Sequence, residues 1–406
     1  MKILLVSDSY PPEIRSASKL VYDLRTHLVD LGFETDVITT EAKYNIDKKS
    51  VFKDDAGVSE PVRIKVLEHH NVPYVIRGIS QLLMPYYFYK GFKKHLNRNY
   101  DLVIIYSPPL TLGLFGAYLK RRFAKTTVLN VQDLFPQNAI DLGILKNFLL
   151  IKFFRYIERF CYKHNDLVTF HSQSNLELAN KEFMNELSGK SIIMHNWQKF
   201  ENTSYKDEAY VRKKYGIAGD KKIAIFAGVL GPAQGLNNLI ELANTIQVDA
   251  PEWHFLVLGD GAERKKIQSL AEAYKLSNIQ FEDFVSPDEY QKVLSGCQLG
   301  TVFLSELNKT PVVPGKILGY MEKKVPVFCV LNRESDAHEL VASAECGATT
   351  VAGIGAKEIG RSFLDFVSNY EMFKAMGQSG YTYARENFVI DVVVNGLLEE
   401  INKRVP

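Results

Sequence analysis

Long apolar runs are missing from this 406-residue chain. No stretch approaches the roughly 18 uninterrupted apolar residues that a spanning helix needs. The opening Met-Lys-Ile-Leu-Leu-Val-Ser-Asp turns polar after one strand's length, unlike a signal peptide. A cytoplasmic protein is therefore expected. Cysteine is scarce as well: Cys161, Cys297, Cys329 and Cys346 form no Cys-x-x-Cys and have no histidine at metal-ligand spacing. That pattern suits a reduced compartment and excludes a zinc ribbon or a disulfide scaffold. The loop after the first strand has no Gly-x-Gly-x-x-Gly, so a dinucleotide cofactor is not indicated.

What is present suffices for two or more domains, because 406 residues exceed what one core usually supports. Charge is divided unevenly. Residues 1–200 hold 27 Lys and Arg against 20 Asp and Glu, a net of +7, whereas residues 201–406 hold 22 against 27, a net of −5. A basic first half suits an anionic partner such as a membrane surface, a lipid phosphate or a nucleic acid. No nucleic-acid reading motif accompanies the charge, so nucleic acid is not expected.

Apolar runs of strand length recur between helical patterns throughout, the signature of an α/β protein. Ile3–Val6, a polar loop through Glu13, a helix carrying Leu20, Leu24 and Leu28, and Thr35–Thr39 form a βαβ opening. Residues 41–61 read as an exposed excursion, Val62–Leu67 as a further strand, and residues 197–221 as a linker. Two stretches mix aromatic and basic residues. The first holds Tyr87, Phe88, Lys90, Phe92, Lys93 and Lys94, and the second runs from Phe148 to Lys163. Each fits either a helix lying at a membrane interface or a core helix whose lysines extend to water. Asp133 follows the strand Thr127–Val131, at the edge where open α/β sheets bind ligands, and fits a helix cap equally well. In the second half, Ile223–Ala227 runs into a glycine-rich turn and Phe255–Leu258 runs into Gly259-Asp260-Gly261. Val312–Val330 reads as loop, helix and strand, with Gly315 and Lys316 at the helix start. Three such turns can converge on one diphosphate, and each alone is also an ordinary αβ connection.

The runs Phe226–Leu236, Gly259–Arg264 and Val313–Val327, with Tyr10–Glu13 and Asp133–Gln137, resemble the retaining GT-B glycosyltransferases of family 4 over most of the chain. The similarity extends to the branch of N-acetyl-L-fucosaminyl transferases of bacterial O-antigen and capsule synthesis, where Gln-Gly stands at the place of Gln234-Gly235. The resemblance implies two Rossmann-like domains with parallel sheets facing across a cleft. An acceptor-binding domain would span residues 1–198 and a nucleotide-sugar domain residues 199–385, with a final helix over 386–406 packing back on the first. It implies Gly231, Gln234, Gly235, Gly315, Leu318 and Gly319 beside the donor, Arg264 and Lys316 on its diphosphate, and Phe284 and Val285 at the base. Arg15, Ser16 and Ser18 would close over the donor phosphate or the acceptor, and Asp133 would orient the acceptor hydroxyl or take its proton.

On this resemblance the reaction moves a sugar, an N-acetylated amino-deoxy hexose, from a UDP-linked donor to a polyprenyl-diphosphate-linked saccharide at the anionic inner face of the cell membrane. No metal or other cofactor is implied, and the chain contains no Asp-x-Asp, the metal clasp of the other glycosyltransferase architecture. Two glutamates usual in the family fall on Pro311 and Gly319, and Glu322, one turn further on, is expected to face water. Those departures leave two other readings open: a nucleotide-sugar epimerase of similar fold, and a non-catalytic sugar-nucleotide-binding scaffold in polysaccharide assembly.

Overall fold

A computed structural model of the chain describes residues 1–13, 15–43, 46, 59–70, 72–200 and 207–404. The chain divides into two units, Met1–Lys199 with Ile390–Pro406, and Phe200–Val389. The first is built from β1 (Lys2–Val6), α1 (Ser16–Asp30), β2 (Glu34–Thr40), β3 (Val62–Ile64), α2 (Tyr74–His95), β4 (Tyr100–Ser107), α3 (Leu112–Arg122), β5 (Ala124–Val131), α4 (Gln137–Asp141), α5 (Phe148–His164), β6 (Leu167–Phe170), α6 (Gln173–Glu182), α7 (Met184–Leu187) and β7 (Ser191–Ile193). Its parallel sheet has the order β3-β2-β1-β4-β5-β6-β7. The order reverses direction between β1 and β4, which places a topological switch point, the usual ligand edge of such sheets, beside the loops after those two strands.

Continuous apolar strands require cover on both faces, and both are covered. Leu4, Val6, Val103 and Leu129 pack with Phe88, Phe92, Phe115 and Tyr162 from α2, α3 and α5. Ile3, Leu5, Ile104 and Val128 pack with Leu20 and Leu24 of α1. Trp197 is fully buried in this second cluster, and its indole N–H donates to the Leu20 carbonyl at 3.2 Å. The expected linker therefore begins as core, and its later part contains a helix; residues 201–206, and most of the excursion over 41–61, lie outside the described residues.

The second unit contains α8 (Glu208–Tyr215), β8 (Lys222–Ala227), α9 (Asn237–Ile246), β9 (Trp253–Leu258), α10 (Arg264–Ala273), β10 (Ile279–Glu282), α11 (Pro287–Ser295), β11 (Leu299–Phe303), α12 (Lys316–Glu322), β12 (Val327–Leu331), α13 (Ala337–Ser343), β13 (Gly347–Val351), α14 (Ala356–Ser368) and α15 (Phe373–Asn387). Its parallel sheet, β10-β9-β8-β11-β12-β13, reverses between β8 and β11. The chain then returns to the first unit as α16 (Ile390–Arg404), whose Ile390, Val394, Leu397 and Ile401 join the cluster under α1.

Candidate functional site

In the second unit the loops after β8 and β9 meet at the carboxyl edge of the sheet, beside the switch point between β8 and β11. Gly228 (φ +146°) leaves β8 with its N–H on the Leu258 carbonyl at 2.9 Å. Gly259 (φ +144°) leaves β9 so close by that a Cβ there would lie 1.9 Å from the Gly228 carbonyl oxygen. Glycine is required at both positions, by conformation and by this backbone contact. The Leu230 N–H donates to the Asp260 carbonyl at 3.0 Å and the Glu263 N–H to the Leu230 carbonyl at 2.9 Å, so the two turns form one platform.

Lys316 reaches onto that platform from the start of α12. A Cβ on Gly228 would stand 2.8 Å from its Cε, so the glycine makes room for the lysine stem. The ammonium donates to Gln234 Oε1 at 2.7 Å and lies 5.0 Å from the centroid of the Phe226 ring. Both partners are neutral, and among the described residues no carboxylate pairs with it. Burial pushes its pKa down to about 8. A half-buried cation answered, among the described residues, only by an amide and a ring face is incomplete electrostatically, and an anion completes it. Since α12 has only seven residues, the lysine charge rather than a helix dipole carries this preference.

Other residues expected around the donor occupy varied positions. Gly231, Gln234 and Gly235 lie in the turn after β8, Gln234 in direct contact with Lys316. Arg264 is held by the Asp283 carboxylate and by the Gly259 carbonyl at 3.1 Å, so its charge is already balanced. Phe284 and Val285 are half-buried in the loop after β10, and Val285 packs on the core. Gly315 is exposed before α12, whereas the Leu318 side chain is core, with 4% of its surface exposed. A Cβ on Gly319 would have only the Tyr290 hydroxyl near it, at 4.0 Å. Glu322 does not face water: it is buried and pairs with Lys323 at 3.0 Å, because the turn of α12 that carries it turns inward.

In the first unit, polar residues gather at the carboxyl edge of the sheet. Asp133, just past β5, is solvent-accessible, and no hydrogen bond or ion pair holds its carboxylate among the described residues. The residue before α4 is Pro136, so Asp133 is not that helix's cap. Burial of its surroundings raises its pKa, and the Arg77 charge opposes that rise. Asp8 follows β1 and is buried, its carbonyl accepting from Thr40 Oγ1 at 2.6 Å. His69 and His70 follow β3 and are buried beside Asp8. Arg15 is half-buried and 4.0 Å from the Glu13 carboxylate, Ser16 is exposed, and Ser18 is buried in the first turn of α1.

Residues 207–383 match the family described as Glycosyl transferases group 1. The chain is 25% identical over 334 residues to WcaI of Escherichia coli (strain K12), named as a glycosyl transferase of colanic acid biosynthesis, covering 78% of this chain and 80% of that one. Among solved structures, sucrose-phosphate synthase from Thermosynechococcus elongatus superposes with a TM-score of 0.76 at 14% identity, covering 99% and 98% of the two chains. Anabaena Alr3699/HepE in complex with UDP has a TM-score of 0.70 at 16% identity, covering 99% and 100%. With both units covered, the fold is GT-B. The glycine platform and Lys316 lie inside the group 1 span, whereas Asp133, Asp8, His69 and His70 lie outside it.

The aromatic-basic stretch before β4 resolves by helical period. In α2 the positions Ser80, Met84, Phe88 and Phe92 form the buried stripe. Phe88 and Phe92 are 0% exposed and pack on the sheet, so neither reaches a membrane. Tyr87 is half-buried against the same core. The outward stripe is Val75, Ile79, Leu83, Tyr86, Lys90 and Lys94, every member exposed, with Lys93 exposed next to it. On α5 the outward residues are Phe148, Leu149, Phe153 and Tyr156, again exposed. No helix among the described residues is long and apolar enough to cross a membrane.

Proposed function

We propose that this protein is a retaining glycosyltransferase that takes an N-acetylated amino-deoxy hexose from a UDP-linked donor and adds it to a polyprenyl-diphosphate-linked saccharide in bacterial surface polysaccharide synthesis. The single observation that carries the reading is Lys316, a half-buried ammonium held by Gln234 and Phe226 with no carboxylate among the described residues to balance it, next to two glycine turns that let a ligand approach backbone. The donor diphosphate supplies the missing negative charge. As the bond from the anomeric carbon to the phosphate oxygen breaks, charge grows on the leaving UDP, and a fixed cation already in place lowers that barrier. Asp133 accepts the proton of the acceptor hydroxyl as it attacks. The UDP-bound Anabaena neighbour and the WcaI relative, named for colanic acid biosynthesis, support the donor class and the pathway class.

The acceptor's lipid places the enzyme at the inner membrane face. The exposed apolar stripe of α2, ending in Lys90 and Lys94, supplies a contact surface of the amphipathic, basic kind that anionic bilayers attract. Purified protein mixed with a UDP-sugar panel, with and without lipid-linked acceptor, tests the activity. UDP release that depends on acceptor is the expected result. A new sugar isomer formed without acceptor would make the protein an epimerase, and binding without turnover would make it a scaffold. Membrane contact is tested separately: changing Val75 and Ile79 to Ser, or Lys90, Lys93 and Lys94 to Glu, should each release the protein from anionic liposomes in sedimentation, and unchanged sedimentation would remove α2 from the interface.

A further inference from the structure

Asp8, His69 and His70 each offer one ligand atom, and these atoms all lie within 4.8 Å of one another, buried at the carboxyl edge of the first unit's sheet. His69 Nδ1 lies 3.2 Å from the Leu67 carbonyl. A carbonyl only accepts, so that nitrogen carries the proton and Nε2 keeps its lone pair. Among the described residues Nε2 is buried with no hydrogen-bond partner, and it lies 3.8 Å from Asp8 Oδ2, too far for a hydrogen bond. The Leu67 carbonyl also accepts from Ser80 Oγ at 2.7 Å, which ties the orienting group to α2. The Asp8 backbone is tied in turn, its carbonyl accepting from Thr40 Oγ1. A histidine oriented through its far nitrogen by a backbone carbonyl, with the near nitrogen bare and a carboxylate in front of it, is the arrangement of a metal ligand with its outer support.

We propose that Asp8, His69 and His70 bind a divalent transition-metal ion of the zinc class, with one coordination position left open. Ligand atoms about 2.0–2.2 Å from a tetrahedral zinc stand roughly 3.4 Å apart, so the separation of 3.8 Å between His69 and Asp8 closes by a few tenths of an ångström. The surrounding charges are Arg15, Arg77 and Lys43 on the positive side and Glu13 on the negative. With cations in excess, a bare dication is disfavoured and an anionic oxygen in the open position is favoured, so the fourth ligand is a phosphate or carboxylate oxygen rather than water. This inference does not depend on the identity of the sugar donor.

The test uses full-length protein stripped with chelator and then titrated with Zn²⁺ and, separately, Co²⁺. One equivalent of zinc should stay bound through gel filtration, measured by elemental analysis, and should raise the melting temperature. His69→Gln and Asp8→Asn should each weaken zinc binding on the order of 10²-fold while still melting cooperatively; His95→Gln, which alters a solvent-exposed histidine on α2, should bind like the wild type. Inorganic phosphate should change the visible spectrum of the Co²⁺ form. Zinc affinity equal in wild type, His69→Gln and Asp8→Asn would overturn the site, and a Co²⁺ spectrum indifferent to phosphate would overturn its open, anion-seeking position.

Discussion

Replacing Lys316 with methionine keeps most of the side-chain length and removes the charge. The stem still passes Gly228 and still covers the Phe226 ring, so the variant should fold. Burial already disfavours the ammonium, which is why its pKa falls to about 8, and the melting temperature should hold or rise. Catalysis should respond oppositely. Two unit charges about 4 Å apart interact by about 4 kcal/mol at an effective dielectric of about 20, and losing one charge-stabilising donor elsewhere costs about 3–4 kcal/mol, or 10²- to 10³-fold. We expect kcat/KM for UDP release to fall by about 10²-fold or more. The kcat term should carry most of the loss, because the leaving diphosphate gains charge only in the transition state. A cooperatively folded variant whose kcat/KM stays within about fivefold of wild type would refute the diphosphate role.

The pH profile follows from the same group: kcat/KM should decline as pH rises through about 8, where free-enzyme Lys316 loses its proton, and in Lys316→Arg, if active, that limb should disappear from the measurable range. Gly319→Ala should stabilise the protein by about 1 kcal/mol, since the site lies inside α12 with the nearest obstacle 4.0 Å away. Calorimetry should show a rise of about 2–4 °C, and a lower melting temperature would mean the space is not free. Glu158, buried and paired with Arg155 at 2.8 Å, has its pKa pushed up to about 7, chiefly by burial. Its folded value exceeds the unfolded one, so its stabilising contribution is complete below about pH 4.5 and is lost as pH rises through about 7. Glu158→Gln should flatten the melting temperature between pH 5 and 8, and parallel curves for the two proteins would contradict the shift.

Much of the fold was legible because parallel strands buried on both faces read as unbroken apolar runs, and Ile223–Ala227 and Phe255–Leu258 needed nothing further. Lys316 and the glycine turns were visible for a local reason, since each chemical group lies within a few residues of the strand that positions it. Asp8, His69 and His70 escaped notice because strand order, a nonlocal property, brings together positions some sixty residues apart. A consecutive His-His just past a strand was the available signal. For Arg264, nothing in the spacing announces that the Asp283 carboxylate takes its guanidinium. Composition leaves the stretch holding Phe88 and Phe92 open between membrane and core, while the period of four that joins them to Ser80 and Met84 sets which side is core.

The return of α16 to the first unit has a consequence for biosynthesis. Leu20, Leu24 and Trp197 emerge from the ribosome early, but Val394 and Leu397, which complete their cluster, are made only after the whole of Phe200–Val389. The earlier-made unit must therefore wait with an apolar face open while the later-made one can already close its own core. Maturation order is inverted relative to synthesis order, and a chain interrupted before Ile390 leaves the ribosome with that face uncovered, a natural target for chaperones and for quality-control proteases.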